Sequence, residues 1–527
     1  MNSHDYDIII FGAGMGGLAA GNILIKKGYR VLIIEKHFTP GGYCTNFKRK
    51  DFTFDCSLHM LNGCEKGGMI YNILKKFEAE NCIEFIKLKE LFHWKSHQKD
   101  MDLIVAPQLE DFIEQLIKLF PHEAKNIKKF FKKYHKIYRF MMSWLTKGFF
   151  GKVLTWFRYC FSFIRFINIL NKTVSEILNP YIKDSICKNL ITMLGGFFGL
   201  APDEMSASIF IPGIFSYYIE GAYYPKGGSG SFSQALANIY IKNGGKLLLS
   251  NEVIRIEFSG NLCTGITCID KSGNANSFTS KTIITNCDVT NLVTKICPKN
   301  TLPQKYYEKI INRKPGFSAV CIYIGLNLDL NERGFKDYEL WISNTIEDQT
   351  TDQLREIAKT LDFSKFPSTA ITLYSNIDST CCPKGKTVLS SIYYALPDLF
   401  LKAIEEDGGE RGDNYKKLKS KIGENFVKNL ENIVGIPDLS KYIEVLEIAT
   451  PITLNRYTSN RNGSFIGWEM TPDQMMLNQL SQKTPIPNLF LAGAWTMPAG
   501  GVSSVLYSGD TCSVLVDKYL KKNLKKS

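Results

Sequence analysis

The sequence predicts an α/β fold in which a parallel-sheet domain, assembled from separated pieces of the chain, is interleaved with a mixed-sheet and helical domain. Three observations predict it. Residues 6–35 read as a strand, a glycine-rich turn, a helix and a second strand, and residues 488–509 again place a glycine turn between a strand and a helix. Residues 318–396 contain several runs rich in β-branched and aromatic residues. At 527 residues and 44% hydrophobic content, the chain is long enough for several domains with sizeable cores.

The N-terminal stretch YDIIIFGAGMGGLAAGNILIKKGYRVLIIEKH has the spacing of a dinucleotide-binding turn. Tyr6–Phe11 is a continuous apolar run suited to a buried parallel strand. In the G-x-G-x-x-G that follows, Gly12 permits a tight turn, Gly14 lets the backbone approach a pyrophosphate, and Gly17 lets the helix pack on the strand. The helix N-terminus offers unpaired N–H groups to phosphates. Glu35, at the tip of the second strand, is the expected acceptor of hydrogen bonds from a ribose.

Two further glycines separate this pattern from that of a simple dehydrogenase. Gly41 and Gly42 follow Glu35 by six and seven residues, and a second close approach of the backbone at this point is typical of FAD enzymes. Together with the residues Phe54-Asp55 and Leu58-His59, this opening resembles the phytoene desaturase, carotenoid isomerase and retinol saturase family. That family is a branch of the FAD-dependent amine-oxidase-like superfamily.

The resemblance continues in four later blocks, whose combination and order are specific to the family. They are GAYYPKGGSGSFSQALANIYIKNGG (221–245), NEVIRIEFSGNLCTGITCIDKSG (251–273), TIITNCD (282–288) and NLFLAGAWTMPAGGVSSVLYSG (488–509). The resemblance implies a Rossmann-type FAD-binding domain. In such a domain the C-terminal strand lies beside the first strand, and its glycine turn reaches the ribityl chain and ring of the flavin. The N-terminus of the last helix would face the negative edge of the reduced ring.

One departure from the family pattern is Gly493-Ala494-Trp495, where many relatives carry Gly-Asp. The change removes one carboxylate contact to the cofactor and resembles the saturase-like members. The cofactor-binding residues that the resemblance implies are Gly12, Gly14, Gly17, Glu35, Lys36, Gly41, Gly42, Val253, Gly493, Ala494, Gly501 and Val502.

The motifs divide the chain into a cofactor domain in three pieces and a substrate domain in two. The FAD-binding pieces are 1–75, 222–300 and 445–527. The insertion 76–221 is helical and basic, and the insertion 301–444 reads as strands. The predicted strands of the second insertion are 318–327, 338–343, 368–376 and 386–396.

The formal charge of +13 is concentrated in one segment. Residues 125–172 contain twelve Lys and Arg and no acidic residue, which leaves 64 − 12 = 52 basic against 51 acidic residues elsewhere. A basic stripe among aromatic residues predicts helices that lie on a membrane surface. Lys152, Arg158 and Arg165 exclude a membrane span. The alternative is a core helix of the substrate domain with a solvated edge, and no nucleic-acid-binding motif accompanies the charge.

The fourteen cysteines, from Cys44 to Cys512, lack metal-ligand spacing and include one adjacent pair, Cys381-Cys382. We therefore expect no metal site and free thiols in a reducing compartment. The opening MNSHDYD lacks the order of a signal peptide. These features predict a cytoplasmic protein, peripheral on a membrane.

The resemblance implies hydride transfer between flavin N5 and a carbon of a long, apolar polyene or isoprenoid lipid. Desaturation, saturation and isomerisation all remain open, although Ala494-Trp495 and His59 favour the saturase-like branch. The chain has one G-x-G-x-x-G and so no dedicated nicotinamide domain is evident. The electron partner is left open among a quinone, oxygen and NAD(P)H.

No single catalytic acid or base can be assigned from the sequence. His59, Tyr223 and Trp495 are candidates, each with a packing role as the alternative. Tyr223 and its neighbour Tyr224 are expected to line the apolar tunnel that would hold the lipid. Two other functions fit the same fold: a prenyl-group carrier without flavin, and an amine oxidase with a soluble substrate. The complete glycine set and Glu35 argue against the carrier, and the basic aromatic segment argues against the amine oxidase.

Overall fold

The computed structural model describes residues 4–96, 98–146 and 161–524 of the chain. Its strands are β1 (Tyr6–Phe11), β2 (Val31–Ile34), β3 (Asn46–Arg49), β4 (Phe52–Asp55), β5 (Leu61–Asn62), β6 (Phe85–Lys87), β7 (Phe92–Ser96), β8 (Met101–Val105), β9 (Ala222–Pro225), β10 (Lys246–Leu248), β11 (Asn251–Ser259), β12 (Leu262–Asp270), β13 (Ala275–Thr285), β14 (Ser318–Leu326), β15 (Glu339–Ser343), β16 (Ser368–Leu373), β17 (Thr387–Ala395), β18 (Ile443–Ala449) and β19 (Leu489–Leu491).

The longer helices are α1 (Met15–Lys26), α2 (Met69–Lys75), α3 (Leu109–Leu119), α4 (Ala124–Thr146), α5 (Val174–Leu178), α6 (Ser185–Thr192), α7 (Ala207–Glu220), α8 (Ser229–Lys242), α9 (Gln304–Ile311), α10 (Thr351–Thr360), α11 (Asp398–Glu406), α12 (Asp413–Val434), α13 (Pro451–Thr458) and α14 (Val502–Leu524). Residues 161–167 are also helical.

The first sheet has the strand order β10-β2-β1-β13-β12-β11, with β19 paired to the end of β13. The pairs among β10, β2, β1, β13 and β19 are parallel, while β12 is antiparallel to both β13 and β11. Ile8, Ile9 and Ile10 of β1 are fully buried, as expected for a parallel strand covered on both faces. Helix α1 packs against α8 and α14, so helices from the two ends of the chain lie side by side.

The position of the C-terminal strand differs from the prediction. β19 pairs with β13 rather than with β1, because both edges of β1 are already paired, one with β2 and the other with β13. The turn after β19 nevertheless reaches the start of α1. A Cβ added to Gly16 would lie 3.0 Å from the Cα of Gly493. The two glycine turns therefore meet across one intervening strand.

The second sheet has the order β18-β14-β17-β16-β15-β7-β8. Its four central strands are those predicted in residues 318–396, and β7 and β8 come from the insertion predicted to be helical. Alternate residues of β14 join different cores. Cys321 and Tyr323 belong to the large core shared with the first sheet, whereas Ile322 and Ile324 pack in a second core that includes residues of α11 and α12. One face of this sheet is thus left for the interior between the two sheets.

Helix α4 carries the first half of the basic segment. Its Ile127, Phe131 and Tyr134 are buried in the core, while Lys128 and Lys132 are exposed. This half therefore matches the alternative, a core helix with a solvated edge. Lys152 and Arg158 of the predicted membrane surface lie outside the described residues. Within the described part of the chain, we find no helix with the length and apolarity needed to cross a bilayer.

Candidate active site

A cavity of about 1400 Å³ lies between the two sheets. It exceeds the roughly 300–1,000 Å³ of a usual small-molecule site, so it has room for a cofactor and a second molecule. One part of its wall is glycine backbone from both ends of the chain, and another part is aromatic. The cofactor-binding residues implied by the resemblance that line this cavity are Gly12, Gly14, Glu35, Lys36, Gly41, Gly42, Val253, Gly493, Ala494, Gly501 and Val502.

Gly17, the remaining implied residue, lies behind the first glycine turn. A Cβ added to Gly17 would lie 2.1 Å from the backbone oxygen of Gly12, which fixes the close contact of helix and strand. Gly12 itself has φ +98°, a conformation that favours glycine. Gly14 caps α1 without a side-chain hydrogen bond, and the first turn of the helix contains no acidic residue. The N–H groups at this helix end therefore suit an anionic ligand such as a pyrophosphate.

Asn286, the residue directly after β13, joins the two glycine turns, and sequence reasoning did not single it out. Its Nδ2 donates to the backbone oxygen of Gly12 at 3.1 Å. A Cβ on Gly14 would lie 2.9 Å from Nδ2, and a Cβ on Gly493 would lie 2.1 Å from Oδ1. The sequence shows only that Asn286 follows an apolar strand run; its contact with two glycine turns depends on how that strand pairs.

Glu35 has its carboxylate turned back toward the first turn. Oε2 accepts from Ala13 N–H at 2.7 Å, and Oε1 accepts from His37 N–H at 2.8 Å. Burial raises the pKa of Glu35, and these hydrogen bonds partly oppose the increase. Lys36 binds the hydroxyl of Ser459 at 2.5 Å. The carboxylate oxygens retain acceptor capacity for a ribose hydroxyl beside the first turn.

Gly41 and Gly42 form a second backbone wall next to the first. The N–H of Gly41 donates to the oxygen of Ala13 at 2.8 Å, and Gly41 has φ +116°. A Cβ on Gly41 would lie 2.1 Å from the oxygen of Cys44, so this position has no room for a side chain. Gly42 has φ +65° and lies beside Gly14. A Cβ added to Gly42 would lie 3.5 Å from the Cα of Gly14.

The C-terminal turn completes this wall. Gly493 has φ +88°, and its N–H donates to the hydroxyl of Ser508 at 3.1 Å. Gly501, at φ +96°, would place an added Cβ in open space, and the first turn of α14 that follows has no acidic residue. Two helix N-termini therefore face one cavity. The bare backbone and these two helix ends fit a dinucleotide ligand.

Trp495 lines the cavity but is held by neighbours. Its ring makes a T-shaped contact with Trp468, with 4.7 Å between centroids. Its Nε1 donates to Asn460 Oδ1 at 3.2 Å, and its backbone oxygen accepts from Trp468 Nε1 at 2.9 Å. These contacts give Trp495 a packing role in the wall.

His59 lies in the wall formed by the second sheet. Its Nδ1 is 2.7 Å from Thr372 Oγ1 and 3.2 Å from Glu339 Oε1, and its ring stacks on Phe197 with 5.0 Å between centroids. Glu339 is fully buried and also accepts from Trp341 Nε1 at 3.1 Å. The sequence pointed to His59 but not to these partners, which come from β15 and β16 more than 270 residues later.

Asp55 holds the loop that carries His59. Its two carboxylate oxygens accept from the N–H and hydroxyl of Ser229, from Tyr224 OH and from the N–H groups of Ser57 and Leu58. Burial raises the pKa of Asp55, and the hydrogen bonds from Ser229, Leu58 and Ser57 oppose the increase. Asp55 thus ties the loop to the start of α8, next to the cofactor wall.

The two tyrosines of β9 lie outside the cavity lining. Tyr223 is buried beneath Lys87, whose Nζ is 5.6 Å from the ring centroid. Tyr224 donates its hydroxyl to Asp55 at 3.0 Å. The structure therefore gives Tyr224 a supporting role for the loop and brings neither ring into the wall of the cavity.

Comparisons with known proteins agree with this geometry. A family model for NAD(P)-binding Rossmann-like domains matches residues 10–77. Over 525 residues the chain is 25% identical to prolycopene isomerase 1, chloroplastic, of an Oncidium hybrid cultivar, covering 97% of this chain and 84% of the relative. Over 549 residues it is 25% identical to all-trans-retinol 13,14-reductase of Danio rerio, covering 99% and 87%. The solved structure of cyclohexylamine oxidase from Brevibacterium oxydans matches with a TM-score of 0.59 at 14% identity, covering 98% and 100%.

These matches confirm the predicted fold class and the family resemblance over nearly the whole chain. The Rossmann-like match points to a dinucleotide as the ligand of the first glycine turn.

Proposed function

We propose that the chain, which resembles prolycopene isomerases and retinol 13,14-reductases over nearly its whole length, is an oxidoreductase of the phytoene desaturase and retinol saturase type. In this proposal it binds FAD and acts on carbon–carbon bonds of a long, apolar polyene or isoprenoid lipid. The observation that carries the proposal is the continuity of one cavity. The same cavity is lined by the glycine turns at Gly12–Gly14 and Gly493, and by the aromatic wall around Phe197 and Trp341. A dinucleotide and an apolar molecule would therefore lie in contact.

FAD, when bound, supplies exchange of a hydride at its N5 atom. The chain contributes binding and orientation. The N-terminus of α1 would hold the pyrophosphate, Glu35 the ribose, and Gly493 and Gly501 the flavin side of the cofactor. A polyene offers no polar handle along its skeleton, so the aromatic wall would position it by shape and exclude water.

We also propose that the lipid enters from a membrane surface next to the end of α4. Phe161 is 74% exposed and Ile164 is 55% exposed, and Ile167 and Arg165 are exposed beside them. An exposed apolar strip with a basic residue suits the headgroup region of a bilayer. Met141 of α4, near the aromatic contacts that anchor this strip, lines the cavity.

The reaction is tested with purified, flavin-loaded protein and a panel of polyenes. Each candidate is incubated with reduced protein under anaerobic conditions. It is also incubated with oxidised protein, with either oxygen or a quinone as the electron acceptor. The products are separated and identified by retention time and mass. We expect one polyene class to gain two hydrogens, lose two hydrogens or change double-bond geometry. If every panel member is unchanged under all conditions while a soluble amine is oxidised, the proposal is wrong.

Membrane docking is tested separately by co-sedimentation with vesicles that contain anionic lipid. The triple variant Phe161→Ser, Ile164→Ser, Ile167→Ser should lose binding because it removes the apolar strip. Leu401→Ser, which changes a 49% exposed leucine on α11, is the matched control and should bind as the wild type does. Equal sedimentation of the triple variant and the wild type would contradict docking through this strip.

A further inference from the structure

We propose that the adjacent thiols of Cys381 and Cys382 are a site of reversible oxidation, at which a hydroperoxide closes a disulfide between them. Both thiols are free and lie in the loop between β16 and β17. Neither residue lines the cavity between the two sheets. The site therefore goes beyond the proposed function and does not depend on which cofactor or lipid the chain binds.

Cys382 is the thiol that a peroxide would meet first. It is half-buried, whereas Cys381 is only 7% exposed. Hydrogen bonding to the Cys381 thiol lowers the pKa of Cys382; burial opposes this change, and the ammonium group of Lys386 supports it. The carboxylates of Asp329 and Asp378 also oppose it. In the thiol form Cys382 donates to the backbone oxygen of Lys386 at 3.4 Å, a bond that is lost when the thiolate forms.

This lowered pKa distinguishes Cys382 from the rest of the described chain. Every other cysteine that the structure describes has a raised pKa, with burial as a cause in each case. The thiolate is the form of cysteine that reacts with peroxides, and the reaction favours a thiolate that solvent can reach beside a second cysteine. Cys382 meets these conditions, with Cys381 as the second cysteine.

The oxidation proceeds in two balanced steps. The Cys382 thiolate attacks one oxygen of the hydroperoxide, the O–O bond breaks, and the sulfenic acid of Cys382 forms while the other oxygen leaves and takes up a proton. The Cys381 sulfur then displaces hydroxide from this sulfenic acid, and its own proton leaves with the hydroxide as water. The two thiols together lose two electrons and two protons, and the hydroperoxide is reduced to an alcohol, or water, and water.

The bond between neighbouring residues should be easily reduced. Consecutive Cα atoms are about 3.8 Å apart, which is shorter than the roughly 4.4 Å at which the usual range for disulfides begins. The resulting eight-membered ring is strained, and strained disulfides are the ones that small thiols reduce readily. The site therefore suits a modification that a reducing compartment resets.

Ring closure would act on the support of Asp55. The peptide group inside the ring contains the backbone oxygen of Cys381, which accepts from the N–H of Thr53 in β4 at 2.7 Å. Asp55 ends β4. On the other side of this loop, Asp378 Oδ2 accepts from the N–H of Gly227 at 2.6 Å, just before α8. Turning the ring peptide weakens the bond to Thr53, so oxidation should loosen β4 and destabilise the fold.

The test uses the purified full-length protein, reduced and then treated with hydrogen peroxide. Remaining thiols are alkylated, and the mass of the tryptic peptide 366–384, which contains these two cysteines and no other, is measured. We expect the peptide to lack two hydrogen atoms and carry no alkyl group, and dithiothreitol should restore both alkylation sites. Cys82 is the matched control: it is half-buried, has a pKa raised to about 11 and has no adjacent cysteine, so it should stay alkylated.

Two variants separate the roles of the two thiols. In Cys381→Ser, Cys382 has no partner and should gain oxygen atoms, up to a sulfinic acid that dithiothreitol does not reduce. In the wild type, hydrogen bonding to Cys382 and burial both raise the pKa of Cys381. Burial remains in Cys382→Ser, so Cys381 should stay reduced there. Full alkylation of both cysteines in peroxide-treated wild type would overturn the inference, as would a disulfide from either cysteine to a third one.

Thermal unfolding tests the structural effect. Adjacent cysteines enclose almost no chain, so their disulfide gains little by restricting the unfolded state. Oxidised wild type should therefore unfold at a lower temperature than reduced wild type, and dithiothreitol should reverse the shift. Cys382→Ser should unfold at the same temperature before and after peroxide. An unchanged or higher unfolding temperature of the oxidised wild type would contradict the effect on β4.

Discussion

The cofactor wall and the His59 wall face the same cavity but are built in opposite ways. The cofactor wall is backbone, because side chains at Gly12, Gly41 and Gly493 would meet neighbouring atoms at 2.8, 2.1 and 2.1 Å. The His59 wall is made of side chains from loops and strands far apart in sequence, joined by hydrogen bonds to Glu339 and Thr372. At these three positions the cofactor wall has no room for an added atom, whereas the side chains of the His59 wall can be replaced by others of similar size. The first suits a fixed cofactor and the second suits a selected substrate.

The largest effect should come from a methyl group added directly behind the cofactor wall, where α1 packs on the first glycine turn. In Gly17→Ala the new Cβ would lie 2.1 Å from the backbone oxygen of Gly12, so α1 must move away from β1. We expect a loss of about 3–5 kcal/mol in the free energy of unfolding and loss of bound flavin. Thermal unfolding and the ratio of flavin to protein absorbance measure both.

Gly28→Ala is the control for this prediction. Gly28 has φ +87° but nothing within 4 Å of an added Cβ, so the cost is backbone strain alone, about 1 kcal/mol. Flavin content should be unchanged. If both variants behave alike, close packing is not what the first turn requires.

Asp55 joins the two walls, and its removal should affect both. Asp55→Ala leaves the buried donors of Ser229 and Tyr224 without their acceptor, and we expect a loss of about 3 kcal/mol in the free energy of unfolding. Flavin content and lipid binding should fall together. Asp55→Asn keeps one acceptor oxygen and should lose less. Lipid binding that falls with flavin unchanged would mean that the loop supports the His59 wall alone.

Glu35→Gln should weaken cofactor binding by about 1 kcal/mol, because a neutral amide is a poorer acceptor for a ribose hydroxyl than a carboxylate. The pH dependence gives a second measurement on the apo-protein. Burial raises the pKa of Glu35 in the folded state, so its contribution to stability is present below the ordinary glutamate pKa of about 4.3 and is lost as pH rises through the folded value. Urea unfolding across this window should show a smaller loss of stability with rising pH in the variant. An unchanged slope would mean that Glu35 titrates alike in both states.

The smallest effect should come from the aromatic wall. Phe197→Leu removes the ring that stacks on His59 but keeps an apolar side chain, and we expect a loss of about 1 kcal/mol or less in the free energy of unfolding. Flavin content should stay at the wild-type value while the relative affinities for different lipids change. Loss of flavin in this variant would show that the two walls are not separate.

The same contrast explains what could be predicted from the sequence. Glycine spacing, the strand runs and Glu35 are local patterns, and they predicted β1, β2, α1 and the four central strands of the second sheet. Local patterns carry no information on which distant strand becomes a neighbour. The family resemblance placed the C-terminal strand beside β1 rather than β13, and the local patterns missed β7 and β8 within an insertion predicted to be helical.

The partners of His59 could not be predicted for a related reason. Glu339 and Thr372 lie in apolar strand runs, where each reads as an ordinary strand residue. Asn286 was hidden in the same way, at the end of a strand whose pairing decides that it meets two glycine turns. For the basic segment, periodicity could not tell whether the apolar face of α4 meets lipid or protein, and the structure buries it in the core.

The central claim, that both ends of the chain form one cofactor wall, is tested most directly by the cofactor content of gently purified protein. The visible absorbance is recorded, the protein is denatured, and the released compound is identified by mass and quantified against protein. We predict a yellow protein that releases FAD at about one per chain. Colourless protein that also fails to take up added FAD would contradict the account.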